Sequence, residues 1–246
     1  MILQIDRGNT RLKWRLREDR RDVAHGAIPN DEVYSSLSSI LAGQSIQHIF
    51  IVSVLGEAQD RAFADWAVKE FGVMPRFARA ESKCAGVTNG YAFPERLGVD
   101  RWLAMLAGYA RVNGSCVVVD CGSAITVDLL DQQGVHHGGY IAPGIVAMQR
   151  ALSINTQGVK VQSGVISTDL APGRDTVSAV SAAQLAMMVG LVQQAIKQLS
   201  LIESSAFPPV LLFTGGDGPM LAKFFNTAVF VPDLVLDGLE LIFSAD

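Results

Sequence analysis

Cysteine is scarce in this chain: three residues in 246, Cys84, Cys116 and Cys121. An odd, widely spaced set excludes a disulfide framework and a zinc-ligand pattern, and it fits a reducing cytoplasm. Charge is thin as well, at 18% of residues against 49% hydrophobic, which leaves no long solvated tail and predicts a large buried core. Positive charge is not in excess: 20 Lys and Arg stand against 24 Asp and Glu, a net charge of −4. No global basic field therefore draws nucleic acid or an anionic membrane, and any bound anion must be held by local groups. No targeting segment is expected either, because the first strand begins at Met1. One charge-free stretch, Thr176 to Ile196, has about the length of one bilayer span. Ser178, Ser181, Gln184, Gln193 and Gln194 interrupt it, and it is rich in Ala and Met rather than Leu, Ile and Phe. It reads as a helix buried between layers, domains or subunits rather than a membrane span.

What the chain does have begins at once. Met1-Ile2-Leu3-Gln4-Ile5 is a β-type run that delivers Asp6 to the turn Arg7-Gly8-Asn9-Thr10. Gly8 adopts backbone angles that other residues avoid, and Asn9 and Thr10 are turn formers with polar groups to offer a ligand. Arg11-Leu12-Lys13-Trp14-Arg15-Leu16 then alternates polar and apolar, the pattern of a returning antiparallel strand. From these residues alone, a ligand-binding turn and an ordinary charged hairpin are equally good readings.

The mixed charge run Arg17 to Asp22 marks a solvated turn. Val23 to Ile28 reads as a third strand, Asp31 to Leu41 as a short helix, and His48 to Val54 as a strand covered on both faces. Glu57 to Phe71 is an amphipathic helix stopped by Gly72, and Val73 to Ala78 another strand. Hairpin strands followed by alternating helix and strand describe an α/β half with a mixed sheet. Further on, Pro94 to Arg101 leads into a helix with Trp102, Leu103, Leu106 and Tyr109 on one face. Asp100 lies where an N-cap belongs, yet capping leaves Gly98 and Arg101 unused. A glycine, an acid and a guanidinium at one helix start can also orient a small polar molecule.

The opening grammar then recurs almost half the chain later. Cys116-Val117-Val118-Val119 ends in Asp120-Cys121-Gly122-Ser123-Ala124, and Ile125 to Leu130 returns as a strand. An internal duplication predicts two similar domains, 1–114 and 115–246, with a cleft between them. Two such turns can hold the phosphates of one nucleotide through backbone N–H groups while their Asp residues position hydrated Mg²⁺. The His136-His137 pair suggests a metal, but neighbouring strand residues point to opposite faces. Ile145 to Leu152 reads as a helix, Thr156 to Leu170 as a loop, and Pro172 to Thr176 as the start of the long helix. Val210 to Phe213 runs into Thr214-Gly215-Gly216-Asp217-Gly218, a third buried strand and Gly-rich turn suited to the nucleoside end of the same ligand.

Together these segments resemble the actin-like/hexokinase/Hsp70 nucleotide-binding superfamily and, within it, the type III pantothenate kinases. Asp6-Arg7-Gly8-Asn9-Thr10 with Lys13-Trp14 is similar to the family's first phosphate motif. Gly98-Val99-Asp100-Arg101 is similar to its pantothenate-binding GxDR element, Asp120 to Thr126 to its second phosphate motif, and Thr214 to Asp217 to its nucleoside motif. The stretch Gly139-Tyr140-Ile141-Ala142-Pro143-Gly144 and the chain length add to the match. The resemblance implies an α/β fold of two actin-like (ribonuclease H-like) domains, with mixed sheets flanked by helices. The implied reaction is ATP-dependent phosphorylation of pantothenate, the first step of coenzyme A synthesis.

Carried over by position, the resemblance makes Asp100 the general base and assigns pantothenate to Tyr91, Gly98, Val99, Asp100, Arg101 and Thr176. It assigns ATP to Asp6, Arg7, Gly8, Asn9, Thr10, Arg11, Leu12, Lys13 and Ser123. Mg²⁺ goes to Asp6 through water, and a monovalent cation, K⁺ or NH₄⁺, to Asp120. It also implies a cytoplasmic homodimer, with the Thr176–Ile196 helix part of the interface. Ser123 stands where the family usually has Thr and keeps the hydroxyl. Cys121 is expected to point into the sheet. A different small-molecule kinase would keep both phosphate turns and use Asp100 on another hydroxyl. A non-catalytic regulator on this fold would be expected to have lost one of Asp6, Asp100 and Asp120, and the chain keeps all three.

Overall fold

The computed structural model describes residues 1–19, 21–156, 166–203 and 207–243. In chain order the elements are β1 (Ile2–Arg7), β2 (Arg11–Glu18), β3 (Arg21–Pro29), α1 (Val33–Ile40), β4 (His48–Ser53), α2 (Glu57–Phe71) and β5 (Arg76–Phe77). Two-residue strands β6 (Lys83–Cys84) and β7 (Val87–Thr88) follow, then a 3₁₀ turn at Pro94–Arg96 and α3 (Val99–Val112). The later elements are β8 (Cys116–Cys121), β9 (Ala124–Leu130), β10 (His136–Pro143), α4 (Ile145–Asn155), α5 (Thr176–Ile202), β11 (Val210–Thr214), α6 (Gly218–Ala222), β12 (Ala228–Phe230) and α7 (Leu234–Phe243). They form two compact units, one of residues 1–85, 91–107 and 234–246, the other of residues 86–90 and 108–233.

The first unit holds the sheet β3-β2-β1-β4-β5, in which β1 runs antiparallel to β2 and parallel to β4. One face carries Leu3, Ile5, Ile49 and Ile51 into a core with Leu37 of α1 and Phe63 and Ala67 of α2. Burying a side chain such as Leu37 or Phe63 completely contributes roughly 1.5–3 kcal/mol. α2 forms because its apolar residues recur on one face, with Glu57 and Asp60 in the first turn and Lys69 in the last complementing the helix dipole. Gly72 ends it in the left-handed conformation, φ +70°, its N–H donating to the Val68 carbonyl at 2.9 Å.

The opposite face belongs to α7. Phe50 stacks on Phe243 with ring centroids 4.5 Å apart. Buried Arg15 donates to Gln4 Oε1 at 2.8 Å, to Asp237 Oδ1 at 2.7 Å and to Glu240 Oε1 at 3.0 Å. Arg17 adds a second cation to Glu240. A buried guanidinium needs such counter-charges, since removing the partners of a buried ion typically costs about 3–5 kcal/mol.

The second unit repeats the plan. Its sheet is β10-β9-β8-β11-β12, again with an antiparallel arm, β8-β9-β10, and a parallel arm, β8-β11-β12. Val117, Val119, Leu211 and Phe213 pack with Leu185, Met188, Val189 and Val192 of α5. The alternate residues Val118 and Leu212 point the other way, where Gly108 of α3 lies so close that a Cβ would sit 3.0 Å from each. The central strands are thus covered on both faces, as a continuous apolar run requires.

Most of these elements follow the expected plan, but several boundaries differ. α5 runs to Ile202, six residues beyond the expected end. β5 keeps two residues of the strand read over Val73–Ala78. Of the loop read over Thr156–Leu170, residues 157–165 lie outside the described residues. β12 and α7 were not anticipated. By length and composition α5 is long and apolar enough to cross a membrane, and 44% of its most apolar window is buried.

Candidate active site

In the first unit, β1 brings Asp6, half-buried, to the β1–β2 turn. The Gly8 N–H donates to the Arg11 carbonyl at 3.1 Å and closes that turn, leaving Asn9 and Thr10 exposed. Asn30 Nδ2 donates to the carbonyls of Gly8 at 3.0 Å and Asn9 at 2.9 Å. Occupying those two oxygens removes acceptors that would repel an approaching anion. Asn30 was not singled out from the sequence, although the Pro29-Asn30 dipeptide was a turn signal that could have drawn attention to it.

The turn's remaining residues divide sharply. Arg7 points away from Asp6, donates to the Gln59 carbonyl at 3.0 Å and lies 4.9 Å from the Phe63 ring centre. Leu12 is wholly buried in the core. Their side chains are committed to the fold, so any part they take in binding runs through the backbone. Arg11 is exposed, and Lys13 pairs in register with Asp6.

The second cluster of this unit forms at the start of α3. The Gly98 carbonyl accepts from the Trp102 N–H at 3.0 Å, so Gly98 rather than Asp100 is the residue flanking the helix. Asp100 sits one position inside, where the helix dipole favours a carboxylate. Its Oδ1 accepts from the Arg101 N–H at 2.8 Å. A Cβ at Gly98 would come within 2.8 Å of that same oxygen, which explains the glycine. Arg101 is 6% exposed, and its guanidinium donates to the Tyr91 hydroxyl at 2.9 Å. Tyr91, Gly98, Val99, Asp100 and Arg101 are therefore neighbours around one helix start, with carboxylate, phenol and guanidinium held by named bonds.

In the second unit, half-buried Asp120 is the penultimate residue of β8, and in the turn that follows the Gly122 N–H donates to the Ala124 carbonyl at 3.0 Å. Two other segments press on this turn. The Gly144 N–H donates to the Ser123 carbonyl at 3.1 Å, and a Cβ on Gly144 would run into the carbonyls of Gly122 and Ser123. Gly215, at φ +83°, leaves no space for a Cβ between the Cys121 carbonyl and Asp120 Oδ1. The Asp217 N–H donates to the Cys121 carbonyl at 3.1 Å. The turns after β8, β10 and β11 therefore meet around Asp120 and Ser123. Burial raises the Asp217 carboxyl above the usual range.

Cys121 lies in the core, its thiol pushed up by burial and further by Asp120 and Asp217. Cys116 is pushed up to about 12 by burial and then by Glu203. Neither is a thiolate near neutrality, so neither is a nucleophile.

Thr176 is the first, exposed residue of α5, placed by a capping box at Asp175. The Asp175 carboxylate accepts from the N–H groups of Val177 at 2.9 Å and Ser178 at 3.0 Å, and Ser178 Oγ donates to it at 2.7 Å. The Ser178 bonds, backbone first, hold that carboxyl below its usual range. Thr176 also lines a groove of about 590 Å³ between α4 and α5, with Met148, Leu152, Val180, Gln184 and Met187. Gln184 is 2% exposed, and its Nε2 has no hydrogen-bond partner among the described residues.

The two histidines go separate ways. A one-residue bulge lies between His136 and Gly139. His136 pairs with buried Asp128 at 3.0 Å, and His137 with Asp131 at 2.6 Å.

The type III pantothenate kinase family pattern matches residues 2–198. A type III pantothenate kinase of Cellvibrio japonicus (strain Ueda107) is 42% identical over 247 residues, covering 99% of this chain and 97% of the relative. The chain belongs to the type III pantothenate kinase family. Another family member, from Pseudomonas putida (strain W619), is 35% identical, covering 98% of each chain. Among solved structures, a protein described as a Baf family transcriptional activator from Campylobacter jejuni is similar with a TM-score of 0.66 at 23% identity, covering 99% of this chain and 98% of its own. A protein described as a 2-dehydro-3-deoxygalactonokinase from Sinorhizobium meliloti follows at 0.59 and 13% identity, covering 100% and 99%. At these identities the two structures speak for the fold alone, which is that of actin-like kinases built on two mixed sheets. Family membership makes the chain a kinase acting on pantothenate, in the coenzyme A pathway.

Proposed function

We propose that this kinase transfers the γ-phosphoryl group of ATP to the primary hydroxyl of pantothenate, with Asp100 as general base. The observation that carries the reading is the helix-start cluster within a family match of nearly full length. Arg101 and Tyr91 are tied to each other, and Asp100 Oδ1 is tied to the helix, so Oδ2 is left to accept the hydroxyl proton. Arg101 would orient the pantothenate carboxylate, with Gly98, Val99, Tyr91 and Thr176 completing that site.

ATP would lie against the turns at Asp6–Lys13 and Asp120–Ser123, whose N–H groups and hydroxyls suit phosphate oxygens. Carboxylate oxygens suit hard cations: half-buried Asp6 would hold Mg²⁺ through water, and half-buried Asp120 would hold K⁺ or NH₄⁺. When bound, these ions neutralise charge on the transferring phosphoryl group; alignment falls to the chain's own residues. ADP release measured with pantothenate and with a panel of other alcohols, with and without K⁺, tests the assignment. Release should depend on pantothenate and rise with K⁺. No pantothenate-dependent release under either condition would refute the assignment.

The cytoplasmic enzyme is further assigned as a homodimer through α5. A charge-free helix face can oppose its own copy without like-charge repulsion, and Met187 stands exposed on it. Light scattering should give twice the 26.3 kDa of one chain. A single-chain mass at micromolar concentration would overturn this.

A further inference from the structure

The buried Asp128–His136 pair has no place in the chemistry just assigned, yet it lies under the segment that leads into Tyr91. Both residues are 1% exposed, and they sit 3.0 Å apart on the β9–β10 hairpin. Residues 86–90 are laid along this hairpin at successive points. The Thr88 N–H donates to the Gly134 carbonyl at 2.9 Å, and Thr88 bridges Val135 in parallel fashion. A Cβ on Gly134 would strike the Gly86 carbonyl, and a Cβ on Gly90 would strike the carbonyl oxygen of His136 itself. The hairpin end is in turn fixed by Asp131, whose Oδ1 accepts from the N–H groups of Gln133 at 2.9 Å and Val135 at 2.8 Å. The peptide of His136 is therefore held by its own ring on Asp128 and by its pairing with Leu130 on β9. Gly90 packs against that peptide and is joined directly to Tyr91.

We infer that Asp128 and His136 are positioning residues for pantothenate, setting the His136 carbonyl against which Gly90 seats and so fixing where the chain presents Tyr91. The inference rests on the assignment of Tyr91 and Arg101 to pantothenate. A small displacement of an orienting group is enough to matter, since misplacing one by about 1 Å costs up to roughly a hundredfold in rate. None of the contacts named above at the nucleotide turns is made by Asp128, His136 or Gly90, so the larger loss should fall on pantothenate.

The test is steady-state kinetics of the full-length protein carrying Asp128→Ala, Asp128→Asn or Gly90→Ala, with pantothenate and ATP varied separately. Asp128→Ala and Gly90→Ala are expected to raise the KM for pantothenate about tenfold or more while the KM for ATP stays within about twofold. Asp128→Asn keeps an oxygen to accept from His136 and is expected to recover most of the loss. Should Asp128→Ala fail to fold, the other two variants carry the test. Equal changes in both KM values, or an unchanged KM for pantothenate in folded Gly90→Ala protein, would overturn the inference. Wild-type protein without pantothenate-dependent turnover would instead overturn the assignment beneath it.

Discussion

Replacing Asp100 with Asn is expected to lower kcat by about 10²–10⁴-fold and to leave ATP affinity unchanged. The substitution is clean because of what Asp100 already does in the fold. Its Oδ1 holds the Arg101 N–H, and the carbonyl oxygen of Asn can make the same bond, so the helix start and the Arg101–Tyr91 contact should survive. What Asn cannot do is take a proton from the attacking hydroxyl. Loss of turnover with ATP affinity intact, measured by equilibrium binding of a non-hydrolysable analogue, would separate chemistry from folding. Turnover within a few-fold of wild type would remove Asp100 from the role of base.

The second large effect is expected at Gly215, in the turn read as receiving the nucleoside end of ATP. Its φ of +83° disfavours any side chain, and a methyl group there would press on Asp120 Oδ1 and the Cys121 carbonyl. Gly215→Ala should destabilise the protein by about 1–3 kcal/mol through overpacking. It should also displace the Asp120 carboxylate, so that more K⁺ is needed for half-maximal activation. A thermal melt and a K⁺ titration of the same preparation check the two parts. An unchanged melting temperature with an unchanged K⁺ response would show that the turns do not brace one another at Asp120.

The sheets were largely legible because their strands are long apolar runs that end in turn residues. Both Asp-ending strands, the third strand at Val210 and the helices over Glu57–Phe71 and Ile145–Leu152 were read from pattern alone. α7 escaped because Leu234 to Phe243 is apolar all round apart from Asp237 and Glu240, and carries a glycine at its centre. That glycine weakens helix propensity but lets α7 meet the Leu103 carbonyl closely, a reason no sequence pattern contains.

In the candidate site, residue types were legible and side-chain directions were not. Arg7 adjoins Asp6 and seemed part of the same turn, but strand alternation sends it to Gln59 and Phe63. The reverse error hid Asn30, whose contribution depends on a turn twenty residues earlier in the chain. The buried Asp128–His136 pair was likewise invisible, since a bulge decides which way each histidine faces.

The Arg15 cluster has a consequence for how the chain is made. Arg15 leaves the ribosome early, whereas Asp237 and Glu240, which neutralise it, lie 222 and 225 residues further on. Until α7 is synthesised, one face of the first sheet lacks both Phe243 and the acids that make a buried guanidinium tolerable. The sheet of the other unit needs nothing from α7, since all of its strands lie within residues 116–230. The sheet begun first is thus closed only by a helix more than 200 residues away from Arg15, so its stability waits on that distant segment.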